Sequence, residues 1–171
     1  MSGGIQFGMS ASSEESMSSE GRHKQLIAEV VASLGSEWSL ERSISIEETM
    51  GSLGEYSILQ SGKSQKQFAD GGILCFKGRK VGVFENKYQA NRNNACQRAA
   101  LWGLIFPWRR CFFSFSGPGF KLKKMGGSTG PLIDLLRFRG STVLENEKDD
   151  QVFKAIVKKF ILNIKDEETG I

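Results

Sequence analysis

Residues Phe68–Gln89 read FADGGILCFKGRKVGVFENKYQ. Two apolar runs, Ile73–Phe76 and Val81–Phe84, flank the polar turn Lys77-Gly-Arg-Lys80, which is the pattern of two strands joined tightly. Side chains alternate across a strand. The spacing therefore predicts Val81, Val83, Glu85 and Lys87 on one face, with Phe84 and Asn86 on the other. Pairing the two runs through the turn brings Asp70 back beside Glu85. Gly71 and Gly72 leave room for a backbone or a ligand to come close. Two carboxylates that converge repel each other and call for a cation. Their hard oxygens favour Mg²⁺, and the ammonium of Lys87 beside them suits a phosphate.

Around this hairpin the chain alternates between helical and extended patterns. Leu26, Ile27, Val30, Val31 and Leu34 recur at helical spacing, with Gly35 as C-cap. Trp38–Ile46 alternates with period two, and Tyr56–Leu59 reads as a short strand. Asn93–Phe106 reads as a helix stopped by Pro107. Cys111–Ser116 (CFFSFS) has the near-continuous apolar character of a strand buried on both faces, and Gly117–Gly119 turns the chain. Pro131 opens a short helix through Phe138, and Val152–Ile164 is strongly amphipathic. A polar substitution at Ile156 is expected to be costly if that site is buried. This order predicts an α/β fold, an α+β sandwich with a central mixed β-sheet flanked by helices. Residues 1–20, rich in Ser, Gly and Glu and without apolar periodicity, read as a dispensable disordered tail, and residues 21–171 as a single domain.

Composition narrows the function classes. No apolar run reaches the roughly 20 residues needed to cross a bilayer, and no secretory signal pattern is present, so a cytoplasmic protein is expected. Three cysteines without CxxC spacing fit reduced thiols better than a disulfide framework. The formal charge of +4 is unevenly spread. Residues 1–50 carry 3 basic and 8 acidic side chains, residues 51–139 carry 15 and 4, and residues 140–171 carry 5 and 7. The central basic block points to a polyanion, with nucleic acid foremost; the bland alternative is a surface whose sign is balanced within the fold.

Asp, a gap and Glu-x-Lys form a weak pattern taken alone. In the bland reading Asp70 is a turn residue and Glu85 with Lys87 a surface ion pair. More residues carry the comparison further. Asp70-Gly71-Gly72, then Glu85-Asn86-Lys87 and Gln89, then Asn94-Ala95-Cys96-Gln97-Arg98, and finally Cys111–Ser116 with Gly117-Pro-Gly-Phe120 stand in the order found in one family. Over roughly residues 25–120 the chain resembles the EcoRI-type restriction endonucleases of the PD-(D/E)xK superfamily. It departs in Ala69, where a Pro often precedes the Asp, in Gln97, which replaces an acidic residue, and in the short connection between Gln89 and Asn94.

The resemblance implies a Mg²⁺-dependent type II restriction enzyme, a homodimer that cuts double-stranded DNA at a short palindrome. Asp70 and Glu85 would hold the metal, with the Asn86 main-chain carbonyl as a further ligand, and Lys87 would hold the attacking water and the phosphate. The products would carry 5′-phosphate and 3′-hydroxyl ends. Gln89, Asn94, Ala95, Gln97 and Arg98 would contact DNA; Asn and Gln suit adenine and Arg suits guanine in the major groove. Glu29 is a weaker candidate for an auxiliary carboxylate. His23 is not expected to be catalytic, and the three tryptophans are expected in core or interface. Two rival readings are a structure-specific repair or recombination nuclease of the same superfamily and a non-catalytic DNA-binding module.

Overall fold

The central hairpin closes more tightly than its composition suggests. A computed structural model describes residues 11–45, 66–88, 92–117 and 131–170, with the backbone alone for 11–18, 92–98 and 131–132. Strands β2 (Lys66–Phe76) and β3 (Arg79–Tyr88) pair antiparallel, with Phe76 opposite Arg79. Only Lys77 and Gly78 form the turn, with φ of 51° and 78°. Positive φ at both central residues is the I′ geometry, whose twist matches that of the flanking strands.

The other elements are α1 (Ala11–Ser33), β1 (Trp38–Ser45), α2 (Arg92–Ile105), a 3₁₀ turn (Trp108–Arg110), β4 (Cys111–Ser116), α3 (Pro131–Phe138), β5 (Thr142–Glu145) and α4 (Asp150–Glu168). The sheet order is β1-β2-β3-β4-β5. The first three strands are mutually antiparallel, while β3, β4 and β5 run parallel. Parallel neighbours need crossovers, and α2 and α3 supply them. The expected mixed sheet flanked by helices is the architecture found. Tyr56–Leu59 and Ile46 lie outside the described residues.

Each face of the sheet carries its own core. Ile73, Val83, Phe113, Phe115 and Val143 pack under Trp102 and Phe106 of α2 and Ile133 and Leu136 of α3. Leu74, Phe84 and Phe112 pack under Ile27 and Val31 of α1 and Phe153, Val157, Phe160 and Ile164 of α4. β4 is buried along its whole length, as CFFSFS implies. The thiols of Cys75 and Cys111 are free and buried, and burial pushes Cys111 up to about 12. Among the described residues no helix is long and apolar enough to cross a membrane.

Three expectations are corrected here. Residues 11–20, expected to belong to a disordered tail, form the first turns of α1. Ser19 Oγ donates to Ser116 Oγ at 3.0 Å, and Glu20 accepts from the Tyr88 amide at 2.7 Å. Val81 does not share a face with Val83, because the β2–β3 register shifts between Leu74 and Cys75 and turns Val81 toward α4. A one-residue bulge reverses the alternation on one side of itself. On α4 Phe153, Val157 and Ile161 are fully buried, whereas Ile156 is only partly buried.

His23 joins α1 to β4 and α4 on the same face of the sheet. Its ring stacks on Phe153 at 4.2 Å between centroids, its Nδ1 lies 2.7 Å from Ser114 Oγ, and its Nε2 lies 3.1 Å from the Glu147 carbonyl. Burial holds its pKa below the ordinary 6.5. The neutral ring is therefore favoured in the fold, and the unfolded chain binds the extra proton as pH drops below about 6.5. Stability from this group is complete above that pH and is lost below it. We predict that His23→Gln flattens the fall in thermal midpoint between pH 7.5 and 5.5. An equally steep fall in the variant would exclude His23 as its source.

Candidate active site

The functional side chains gather where the β2–β3 ladder stops. That ladder runs from Phe76–Arg79 to Gly72–Phe84 and goes no further. On its other side, β2 pairs with β1 at Glu41–Ile73 and again at Ser43–Phe68, so four β2 residues face the single β1 residue Arg42. This bulge holds Asp70-Gly71-Gly72. Bulges of this kind re-aim side chains at the edges of sites. Gly72 has φ of +108°, which an L side chain would strain to adopt. At Gly71 a Cβ would stand 2.6 Å from Phe84 Cβ and 2.8 Å from its carbonyl oxygen. At Gly71 it is the β3 backbone that comes close, while Gly72 meets Leu40 of β1.

That close approach brings the main chain of Asp70 to Glu85. The Asp70 amide donates to Glu85 Oε1 at 2.8 Å, and the indole Nε1–H of Trp102 donates to Oε2 at 2.7 Å. Glu85 is 1% exposed. Burial lifts its pKa above the usual 4.5, and the Trp102 and Asp70 donors and the charge of Lys87 oppose the rise. Lys87 Nζ lies 2.7 Å from Asp70 Oδ2. The bland reading of Glu85 and Lys87 as an exposed surface pair is therefore incorrect: Glu85 is buried and the partner of Lys87 is Asp70.

A third carboxylate shares this rim. Glu20 reaches in from α1 to the Tyr88 amide, and its pKa is raised, first by burial and also by the charge of Asp70. In the sequence Glu20 belongs to the stretch expected to form the tail. Extending the α1 stripe backward from Ile27 through His23 would have placed Glu20 on the same side, since residues three and four apart are helix neighbours. Glu29, the weaker candidate, instead pairs with Lys154 at 3.2 Å on the exposed side of α1. Trp102, expected in core or interface, is in the core but also supplies a hydrogen bond to the site.

The remaining candidates divide. Asn86 pairs with Ser114 across β3 and β4 and is 1% exposed. Its side-chain Oδ1 and Nδ2 have no hydrogen-bond partner among the described residues. Its side chain belongs to the face opposite Glu85, so a role toward a metal falls to the main-chain carbonyl. Asn94, Ala95, Gln97 and Arg98 lie in the first half of α2, whose later residue Trp102 touches Glu85. Gln89 lies outside the described residues.

The donor set suits a hard cation. Asp70 and Glu85 offer oxygens with lone pairs left over after their present hydrogen bonds, and an ammonium already sits against Asp70. Among the described residues no three His, Cys, Asp or Glu side chains converge as a ready-made metal cage. Mg²⁺ does not need one, since it commonly takes one or two carboxylates and keeps several waters. No protein-family model matches the sequence, and a search of curated proteins returns no match.

Six of the 15 basic side chains of the central block, Lys87 included, form ion pairs among the described residues. Arg79, Arg109 and Arg110 pair with Glu167 and Glu168 at the end of α4, Lys80 with Glu41, and Arg137 with Glu145. Acidic groups at a helix C-terminus oppose its dipole, and the arginines offset that cost. Arg109 and Arg110 accordingly hold Glu167 below its ordinary carboxylate range.

Trp102 generates a prediction of definite sign. Trp102→Phe removes a donor that favours the charged form of Glu85, so the folded pKa of Glu85 rises further. The loss of stability should reach about 1–3 kcal/mol at pH 8, where Glu85 is ionised, and shrink toward pH 4.5. Denaturant titrations at the two pH values measure it; an equal loss at both would assign Trp102 to packing alone.

Proposed function

We propose that the protein is a Mg²⁺-dependent DNA endonuclease. The observation that supports this reading best is the meeting of Asp70, Glu85 and Lys87 at the end of the β2–β3 ladder, with Glu85 buried and held by two N–H donors. A carboxylate so held keeps one orientation, and a cation beside it would offset the desolvation that raises its pKa. Asp70 and Glu85, with the Asn86 carbonyl, are the residues that would hold Mg²⁺. When bound there it would polarise the phosphate and lower the pKa of a bound water.

The chain's own groups do the rest. Lys87 is largely shielded from solvent and reaches Asp70, so its ammonium is placed to donate to a phosphate oxygen presented at the same carboxylate. Trp102 and the Asp70 amide fix the orientation of the Glu85 carboxylate. Glu20, within electrostatic reach of Asp70 and Lys87, adds negative charge that would support the cation. In-line displacement at phosphorus with the 3′ oxygen leaving gives 5′-phosphate ends.

The finer proposal follows the resemblance: a site-specific type II enzyme acting as a homodimer on a short palindrome, with Asn94, Gln97 and Arg98 of α2 reading bases. Two copies related by a two-fold axis would place two sites on opposite strands.

Asp70→Ala, Glu85→Gln and Lys87→Ala should each lower cleavage of a sequenced phage genome by more than a hundredfold without loss of the folded circular-dichroism spectrum. Turnover within tenfold of wild type for any of them would overturn the assignment. Glu20→Gln should raise the Mg²⁺ concentration for half-maximal cleavage by about 10–100-fold, the usual effect of losing an outer partner of a metal site. Discrete fragments would support site-specific cutting by a dimer; a smear, or cleavage confined to branched DNA, would favour the repair-type nuclease.

A further inference from the structure

A groove of about 330 Å³ opens beside Asp70, between α1 and the β1–β2 edge, and is lined by Lys24, Ala28, Leu40, Arg42, Phe68 and Asp70 among others. Its position on the chain follows from two repeats. Glu20, Lys24 and Ala28 are spaced by four on α1, so they run in one line from the carboxylate rim along the groove wall. Lys66, Phe68 and Asp70 are exposed in alternation with Gln67 and Ala69 on β2, so they share one face at intervals of roughly 7 Å.

The chemistry of the lining is uneven. Phe68 is 56% exposed, a large ring left open two residues from Asp70. The acidic lining residues are already compensated: Glu41 lies 3.3 Å from Lys80, and Asp70 is paired with Lys87. Lys24 and Arg42 are exposed, and among the described residues neither has an ion-pair partner. Both come from the net acidic first fifty residues, whereas most paired cations come from the basic block. One open aromatic face, two available cations and one of the candidate metal carboxylates, Asp70, thus lie around one cavity of nucleotide size.

We propose that this groove is a subsite for one unstacked nucleotide of the strand being cut. Its base lies on the Phe68 ring, and a phosphate next to the scissile one is held between Lys24 and Arg42. A base within an intact duplex has both faces covered, so the ring can be used only by a nucleotide extruded from the duplex or lying in a single-stranded stretch. This inference rests on the nuclease reading for its orientation, since Asp70 marks the scissile phosphate.

The test is metal-free binding, which does not depend on cleavage. The full chain in EDTA is titrated into a fluorescein-labelled single-stranded dodecamer and into the corresponding duplex. Wild-type binding to the single strand should draw on Phe68, whereas binding to the intact duplex should not. Phe68→Ala should weaken single-strand binding by about 5–150-fold, the span of one stacked base, while Phe68→Trp keeps it and Phe68→Leu does not. Lys24→Ala and Arg42→Ala should each reduce the slope of log affinity against log salt by about 0.7. Unchanged binding in Phe68→Ala, or equal binding by the Leu and Trp variants, would overturn the stacking role; unchanged salt slopes would overturn the phosphate contact. If wild type cuts DNA and the Phe68 series is flat, the subsite fails and the nuclease reading stands. If the Phe68 series behaves as expected and no DNA is cut with any divalent metal, the nuclease reading fails and a nucleotide-binding groove remains.

Discussion

A carboxylate taken out of water must be solvated by the protein or it will bind a proton, and Glu85 is solvated by two N–H groups from separate parts of the chain. Much else is arranged around that requirement. The Asp70 amide can reach it only because Gly71 lets β2 lie against Phe84, and Gly71 is available for this because the ladder to β1 bulges at the same place. The indole of Trp102 can reach it only if the crossover helix α2 lies over this part of β3. Hairpin register, bulge and helix position are thus tied to one side chain.

The hairpin was legible because its signals are local. Apolar runs, a Gly-containing turn and side-chain alternation each involve neighbours in sequence, and they place Asp70 beside Glu85 and Lys87 correctly. The same alternation failed at Val81, since a bulge leaves no composition mark when the inserted residue is itself apolar. The start of α1 was hidden for a different reason. Ser19 and Glu20 are held by Ser116 and Tyr88, and polar partners far along the chain do not register as hydrophobic periodicity. Trp102 was read as bulk because nothing in sequence reveals which buried indole also donates a hydrogen bond.

Charge was legible as an amount, but its pairing was not. The clustering of arginines and lysines in residues 51–139 suggested a cationic face, yet several of these side chains knit the hairpin, the 3₁₀ turn and the end of α4 together. Arginine is well suited to that use because its planar fork meets carboxylates at fixed angles. The cations beside Asp70 that have no carboxylate partner among the described residues sit in a segment whose net charge is negative. Only the packing of α1 against β1 and β2 gives their placement a meaning.

The way the site is divided along the chain has a consequence for synthesis. Asp70 and Glu85 are only 15 residues apart, and a hairpin of that kind closes within about 1–10 μs. Glu20 and the Tyr88 amide are separated by 68 residues, and Ser19 and Ser116 by 97. At the usual 5–20 residues per second of translation, α1 waits several seconds for the strands it covers. During that interval Leu26, Ile27, Val30 and Val31 have no sheet to pack on. The nascent protein therefore carries a greasy helix through the exit of the ribosome well before it can hide it, which is the kind of segment that chaperones hold.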